Sequence, residues 1–160
     1  MGELRKDYLL NYWVFFSTSR GKRPRQFAEQ PVQTEVGPCF FCPGNEASTP
    51  AEIGRRGDAK KWLMRWFENK FPALVSDSSP VIKTDNRFYT FSSNFGHHEV
   101  VVETAEHSKQ LSDLSVKEIA DLFSVFKDRI RDLSRQENIV YVSVIKNRFT
   151  HKRIFYQWNL

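Results

Sequence analysis

Between residues 28 and 58 the chain carries Pro31, Gly37, Pro38, Pro43, Gly44, Pro50, Gly54 and Gly57. Proline lacks an amide donor and glycine has the highest backbone entropy to lose, so neither helix nor strand propagates well through such spacing. The stretch therefore reads as mostly loop. In a compact domain a loop of that length is usually functional or disordered. At its centre, Gly37-Pro38-Cys39-Phe40-Phe41-Cys42-Pro43-Gly44-Asn45 holds both cysteines of the protein. A turn between glycines and prolines lets the two sulfurs face one point, as in half of a tetrahedral zinc site. A metal tying Cys39 and Cys42 to the body of the fold would keep the stretch ordered. A redox pair and two inert thiols are the alternatives, but a redox Cys-x-x-Cys should open a helix, and Pro43-Gly44-Asn45 follows instead.

The flanking sequence alternates between strands and one helix. Residues 11–17, 61–67, 87–92, 96–103 and 139–145 are rich in aromatic and β-branched residues and read as strands. Ser115-Val116-Lys117-Glu118 is a capping box. Ile119, Leu122, Phe123, Phe126, Ile130 and Leu133 then recur at helical spacing, predicting an amphipathic helix over about 115–135 whose phenylalanines pack the core. Strands, helix, strand in that order predict an α+β fold with an antiparallel sheet and a long packed helix. With 160 residues, 40% of them hydrophobic, the chain is long enough for a real core.

Charge and histidines narrow the chemistry. The net charge is +5, which favours anionic ligands such as nucleotides or sugar phosphates. Basic residues concentrate in Ser19-Arg20-Gly21-Lys22-Arg23-Pro24-Arg25, readable as a solvated turn or as a phosphate clamp. Elsewhere they are dispersed with no recognised nucleic-acid motif, so nucleic acid is not expected as a partner. His97 and His98 would point to opposite faces of a regular strand, whereas His107 lies past the strand end, where a loop can deliver it to the cysteines. Two cysteines at this spacing do not form a disulfide framework, which favours a reducing compartment, the cytoplasm. The N-terminus has no secretory h-region, and no apolar run approaches a membrane span.

Seven blocks in order now carry a resemblance. They are Trp13-Val14, Arg20-Gly21-Lys22-Arg23-Pro24, Cys39 through Asn45, Glu68-Asn69-Lys70-Phe71-Pro72-Ala73-Leu74, Gly96 through Glu103, Glu106-His107-Ser108 and Lys146-Asn147. Together they are similar to the N-terminal half of galactose-1-phosphate uridylyltransferases, members of the histidine-triad superfamily. The resemblance implies a histidine-triad-like half-barrel domain over residues 1–147, followed by a divergent tail over 148–160. By family, the reaction moves UMP from UDP-glucose to galactose 1-phosphate through a uridylylated histidine. Cys39, Cys42 and His107 match three ligands of a structural zinc. Arg20 and Arg23 match the basic loop at the sugar phosphate end. Phe40, Phe41, Phe67, Asn69, Lys70 and Phe71 match the pocket for base and ribose, and Asn147 matches the asparagine that opens a glycine-rich phosphate loop. The block at Gly96 is also similar to relatives that act on ADP-sugars, so the base is left open between uracil and adenine.

The tail departs from this pattern. After the asparagine the family continues with a glycine-rich turn and a His-x-His pair, one histidine being the nucleophile and the other the fourth zinc ligand. Here Trp158 and Leu160 stand at those positions, and no glycine follows Asn147. No catalytic residue is therefore assigned, and the chain reads as a truncated or frameshifted product, incomplete for transfer. The alternative is a non-catalytic zinc and nucleotide-binding module. Water, His151, His97 or His98 would complete the metal. The surface that meets a second domain in the family would be exposed, so a homodimer is expected.

Overall fold

The computed structural model describes residues 2–17, 39–58, 61–148 and 154–159. The elements run β1 (Gly2–Lys6), β2 (Trp13–Ser17), β3 (Glu52–Gly57), β4 (Trp62–Glu68), β5 (Ile82–Asn86), β6 (Tyr89–Ser93), β7 (Glu99–Val102), α1 (Val116–Ser134), β8 (Ser143–Arg148) and β9 (Ile154–Asn159). All the strand ladders are antiparallel, and one isolated parallel bridge joins Val75 to Phe95. The fold is thus α+β with antiparallel sheets and one long helix, as expected.

The chain divides into two compact units. The first comprises Met1–Val32 and Phe71–His98 and holds a four-stranded sheet in the order β2-β1-β6-β5. The turn from β1 to β2 is set by Asp7, whose carboxylate accepts from the Leu9 and Leu10 amides at 2.8 Å each. Those two bonds hold the Asp7 carboxyl below its ordinary value. Polar contacts also organise the loops of this unit. Asn94 Nδ2 donates to the Ala73 carbonyl at 2.7 Å, and the Ala73 amide donates to Nδ1 of buried His98 at 2.8 Å.

The second unit comprises Gln33–Lys70 and Glu99–Leu160. Its five strands are ordered β3-β4-β7-β9-β8. Helix α1 starts where the sequence placed it: Ser115 Oγ accepts from the Glu118 amide, and the Glu118 carboxylate accepts from the Ser115 amide at 2.7 Å. Leu122, Val125 and Phe126 of the helix pack on Met64 of β4 and Val101 of β7, burying the apolar side of the sheet. Phe126 is core, as expected. Phe123 is 62% exposed, against the expectation that both phenylalanines are core: one position past Leu122, it sits at the rim of the buried stripe with its ring edge-on to Phe126, centres 5.9 Å apart.

Three strands fall where the sequence pattern is weakest. β1 and β5 are largely polar, and β5 is exposed throughout, so neither shows the alternation that marks a half-buried strand. β3 lies within the stretch read as loop. It contains Gly54 because Trp66 of the adjacent strand packs over it: a Cβ there would come within 2.4 Å of the indole ring. The expected strand at 139–145 is shifted, with pairing beginning at Ser143, after Asn138 takes φ 65°. The tail adds β9, which pairs with β7 through Val100↔Gln157 and Val101↔Tyr156 and with β8 through Ser143↔Asn159 to Arg148↔Ile154.

Candidate functional site

The cysteine loop is built from two successive turns. The Cys42 amide donates to the Cys39 carbonyl at 3.1 Å, and the Asn45 amide to the Cys42 carbonyl at 3.1 Å. In the second turn Pro43 supplies a fixed φ and Gly44 the positive φ of 89°, the residue pair that a type II turn requires. Asn45 Nδ2 closes the loop on the Cys39 carbonyl at 2.9 Å. The Phe41 amide points at Cys39 Sγ, 3.4 Å away. His107 comes from the loop after β7 and sets Nδ1 3.4 Å from Cys42 Sγ. Cys39, Cys42 and His107 thus form a group whose ligand atoms all lie within 4.8 Å of one another, able to hold a metal ion. Neither thiol is in a disulfide.

The loop is fastened to the sheet by side chains the sequence reading passed over. Trp62 Nε1 donates to Glu46 Oε1 at 2.7 Å, holding that carboxyl below its ordinary value. Arg65 Nη1 donates to Thr49 Oγ1 at 2.9 Å. The loop behind His107 is fastened in turn: Lys109 Nζ lies 3.1 Å from Glu106 and 3.2 Å from Glu118. One signal was visible in advance, since Arg65 is a lone charge inside the apolar run Trp62-Leu63-Met64-Arg65-Trp66-Phe67.

The two phenylalanines between the cysteines part company. Phe41 stacks on Phe67 of β4, with ring centres 6.0 Å apart and planes within 10°. Phe40 is 64% exposed. Asn69, half-buried, and Lys70, exposed, follow β4 within the second unit, whereas half-buried Phe71 opens the second segment of the first unit. Asn147 sits on β8 opposite Phe155. Arg20, Arg23 and His151 lie outside the described residues. His97 and His98 belong to the loop before β7 rather than to a strand, and His98 uses Nδ1 as a hydrogen-bond acceptor within the first unit. Strand β7 is bracketed by two buried carboxylates, Glu99 at its start and Glu103 just past its end. Glu99 receives Arg129 at 2.6 and 2.9 Å, and Glu103 receives Lys146 at 2.9 and 3.1 Å.

The model of the galactose-1-phosphate uridyl transferase N-terminal domain matches residues 2–154. The chain belongs to this family. It is 36% identical over 155 residues to ADP-glucose phosphorylase of Arabidopsis thaliana, covering 91% of this chain and 43% of that protein. It is 32% identical over 148 residues to galactose-1-phosphate uridylyltransferase of Thermotoga maritima, covering 92% and 41%. Among solved structures, the Arabidopsis ADP-glucose phosphorylase with bound ADP-glucose superposes with a TM-score of 0.63 at 32% identity, covering all of this chain and 49% of that one. A uridylyltransferase structure superposes with a TM-score of 0.67 at 22% identity, covering 99% and 45%, which speaks for the fold alone. The chain thus spans less than half the length of the relatives it matches. Among the described residues no helix is long and apolar enough to cross a membrane.

Proposed function

We propose that this chain is a nucleotide-recognising domain of the uridylyltransferase family, holding zinc at Cys39, Cys42 and His107, and that with Trp158 and Leu160 in place of a histidine pair it does not itself transfer UMP between UDP-glucose and galactose 1-phosphate. The observation that carries the reading is the convergence of two thiols and an imidazole around a loop whose Phe41 is stacked on Phe67. Zinc bonds of about 2.3 Å to sulfur and about 2.0 Å to nitrogen give tetrahedral edges of roughly 3.5–3.8 Å, and the 3.4 Å between Cys42 Sγ and His107 Nδ1 fits such an edge. Bound there, the ion would rigidify the loop, since two thiolates from one Cys-x-x-Cys turn and an imidazole are the donor types that structural zinc sites use. The aromatic pair offers a face to a base, Asn69 an amide to ribose hydroxyls, and Lys70, Arg20 and Arg23 cations to a diphosphate. Phe40, Phe71 and Asn147 complete this proposed set.

Transfer through a covalent intermediate needs a histidine beside the α-phosphate and donors for the developing charge. Trp158 and Leu160 stand where the family carries its His-x-His, which supports binding without turnover. We take residues 1–147 as the family-like domain, 148–160 as its divergent tail, and the cytoplasm as the compartment, where the thiols stay reduced. A second reading, an ADP-sugar relative, is favoured by the 36% identity to the Arabidopsis phosphorylase. Exposed Tyr8, Leu9, Leu10, Trp13 and Phe16 in the first unit favour a homodimer.

The test is metal content of the purified chain, with UDP and ADP titrated in competition on the same sample. Stoichiometric zinc, saturable nucleotide binding and no turnover of UDP-glucose with galactose 1-phosphate are expected. Absence of both zinc and binding would overturn the reading, and tighter ADP binding would select the second one. Light scattering at micromolar concentration should return the mass of a dimer.

A further inference from the structure

Arg65 is fully buried, the largest side chain so enclosed among the described residues, yet it is poorly matched for a buried cation. Its nearest carboxylate oxygen, Glu52 Oε1, is 3.4 Å from Nη1. The other oxygen of Glu52 is engaged by Arg55 at 2.6 Å. Among the described residues neither Nε nor Nη2 meets an acceptor. Arg129 shows what full matching looks like, with two bonds to Glu99 and a third to Asp132 at 2.9 Å. Burying a guanidinium costs several kcal/mol in desolvation, by order of magnitude, unless every donor is used, so packing alone does not account for an arginine here.

Apart from Glu52, what Arg65 touches leads to the cysteine loop. Its Nη1 bonds Thr49, three residues past Glu46. Its Cζ lies 5.2 Å from the ring centre of Trp62, and the Trp62 indole holds Glu46. Its Cζ also lies 4.9 Å from the ring centre of Phe67, against which Phe41 stacks. A cation beside two aromatic rings orients both by attraction to their quadrupoles. We infer that Arg65 is a positioning residue, a buried guanidinium that fixes the Trp62 and Phe67 rings and, through Thr49, the cysteine loop. It thereby sets the geometry of the metal group and of the wall that a nucleotide base would meet. The inference rests on the proposed metal and nucleotide reading for its consequence, not for its geometry.

Arg65→Met and Arg65→Lys in the full chain test it, with Leu122→Ala, on the helix side of the same sheet, as the control for loss of stability. Three readouts are compared at matched folded fraction: the rate at which Cys39 and Cys42 react with a disulfide reagent after chelation, the affinity and thiolate-to-metal absorption of the Co²⁺ complex, and UDP and ADP affinity. Arg65→Met is expected to raise the thiol rate severalfold and to weaken Co²⁺ by about tenfold, the low end for residues that support metal ligands from behind. Arg65→Lys should recover part of both, because lysine keeps the charge beside the rings but not the fork. Leu122→Ala should leave both unchanged. A thiol rate for Arg65→Met equal to that of Leu122→Ala would overturn the inference. If the wild-type chain takes up neither Co²⁺ nor nucleotide, the metal and nucleotide reading fails, while the thiol rates still decide the role of Arg65.

Discussion

The two sides of the β4–β7 pair are held by different physics. On one, Met64 and Val101 meet Leu122, Val125 and Phe126 in aliphatic and aromatic packing with no polar atom to satisfy. On the other, Arg65 and Phe67 meet the cysteine loop through a hydroxyl, ring faces and a stacked pair. The first arrangement is cheap and tolerant, since cores accept substitutions that keep volume. The second is directional and demands particular groups at particular distances. The contrast assigns tolerant packing to the helix side and precise geometry to the loop side, and substitutions on each should move different observables.

The largest effect is expected from the thiols. Structural zinc contributes about 10–16 kcal/mol of apparent binding energy in small metal-dependent folds, so Cys39→Ser or Cys42→Ser should abolish stoichiometric metal on elemental analysis. If either retained a full equivalent, the ion would be elsewhere. Arg129→Met leaves Glu99 buried without its bidentate partner, a loss of about 3–5 kcal/mol in urea unfolding, with metal retained in the folded fraction. Leu122→Ala should cost about 2–5 kcal/mol by the same measurement and leave nucleotide affinity untouched; a change in affinity would erase the distinction between the two sides. Phe41→Ala removes a stacked pair worth roughly 0.5–1.5 kcal/mol. Calorimetry should show up to about tenfold weaker nucleotide binding with unaltered metal content.

The smallest effect concerns acid. Hydrogen bonds from Ser115, with Lys109 behind them, bring Glu118 from an ordinary 4.5 down to about 2. Because the folded pKa is depressed, the stabilisation is complete above about pH 4.5 and is lost as pH falls through about 2. Glu118→Gln should therefore flatten the acid limb of the unfolding profile in the metal-free chain between those values. An unchanged limb would mean that the capping box does not anchor the helix start.

How much of this was legible in the sequence depended on what kind of signal each residue left. The helix was legible to within a residue or two, because capping chemistry and a 3.6-residue period are local. The grouping of Cys39, Cys42 and His107 was legible from Cys-x-x-Cys spacing plus a loop histidine. Strands β1, β3 and β5 were not, since exposed or glycine-bearing strands owe their existence to neighbours such as Trp66 rather than to their own pattern. Arg65 and Glu46 carry no motif. Their importance lies in what surrounds them, and only the fold assembles those surroundings. For the same reason His98, plausible as a ligand by type, acts as an acceptor for the Ala73 amide.

The strand order β3-β4-β7-β9-β8 has a consequence for assembly. β8 is made before β9, yet it reaches the rest of its sheet through β9, which lies between it and β7. Residues 154–159 must therefore be made before the β8 ladder has anything to dock against, so β8 joins the sheet as one strand of a hairpin with β9. Until then the edge of β7 away from β4 is open, a template for a neighbouring chain. Any delay in reaching residues 154–159 would lengthen that exposure.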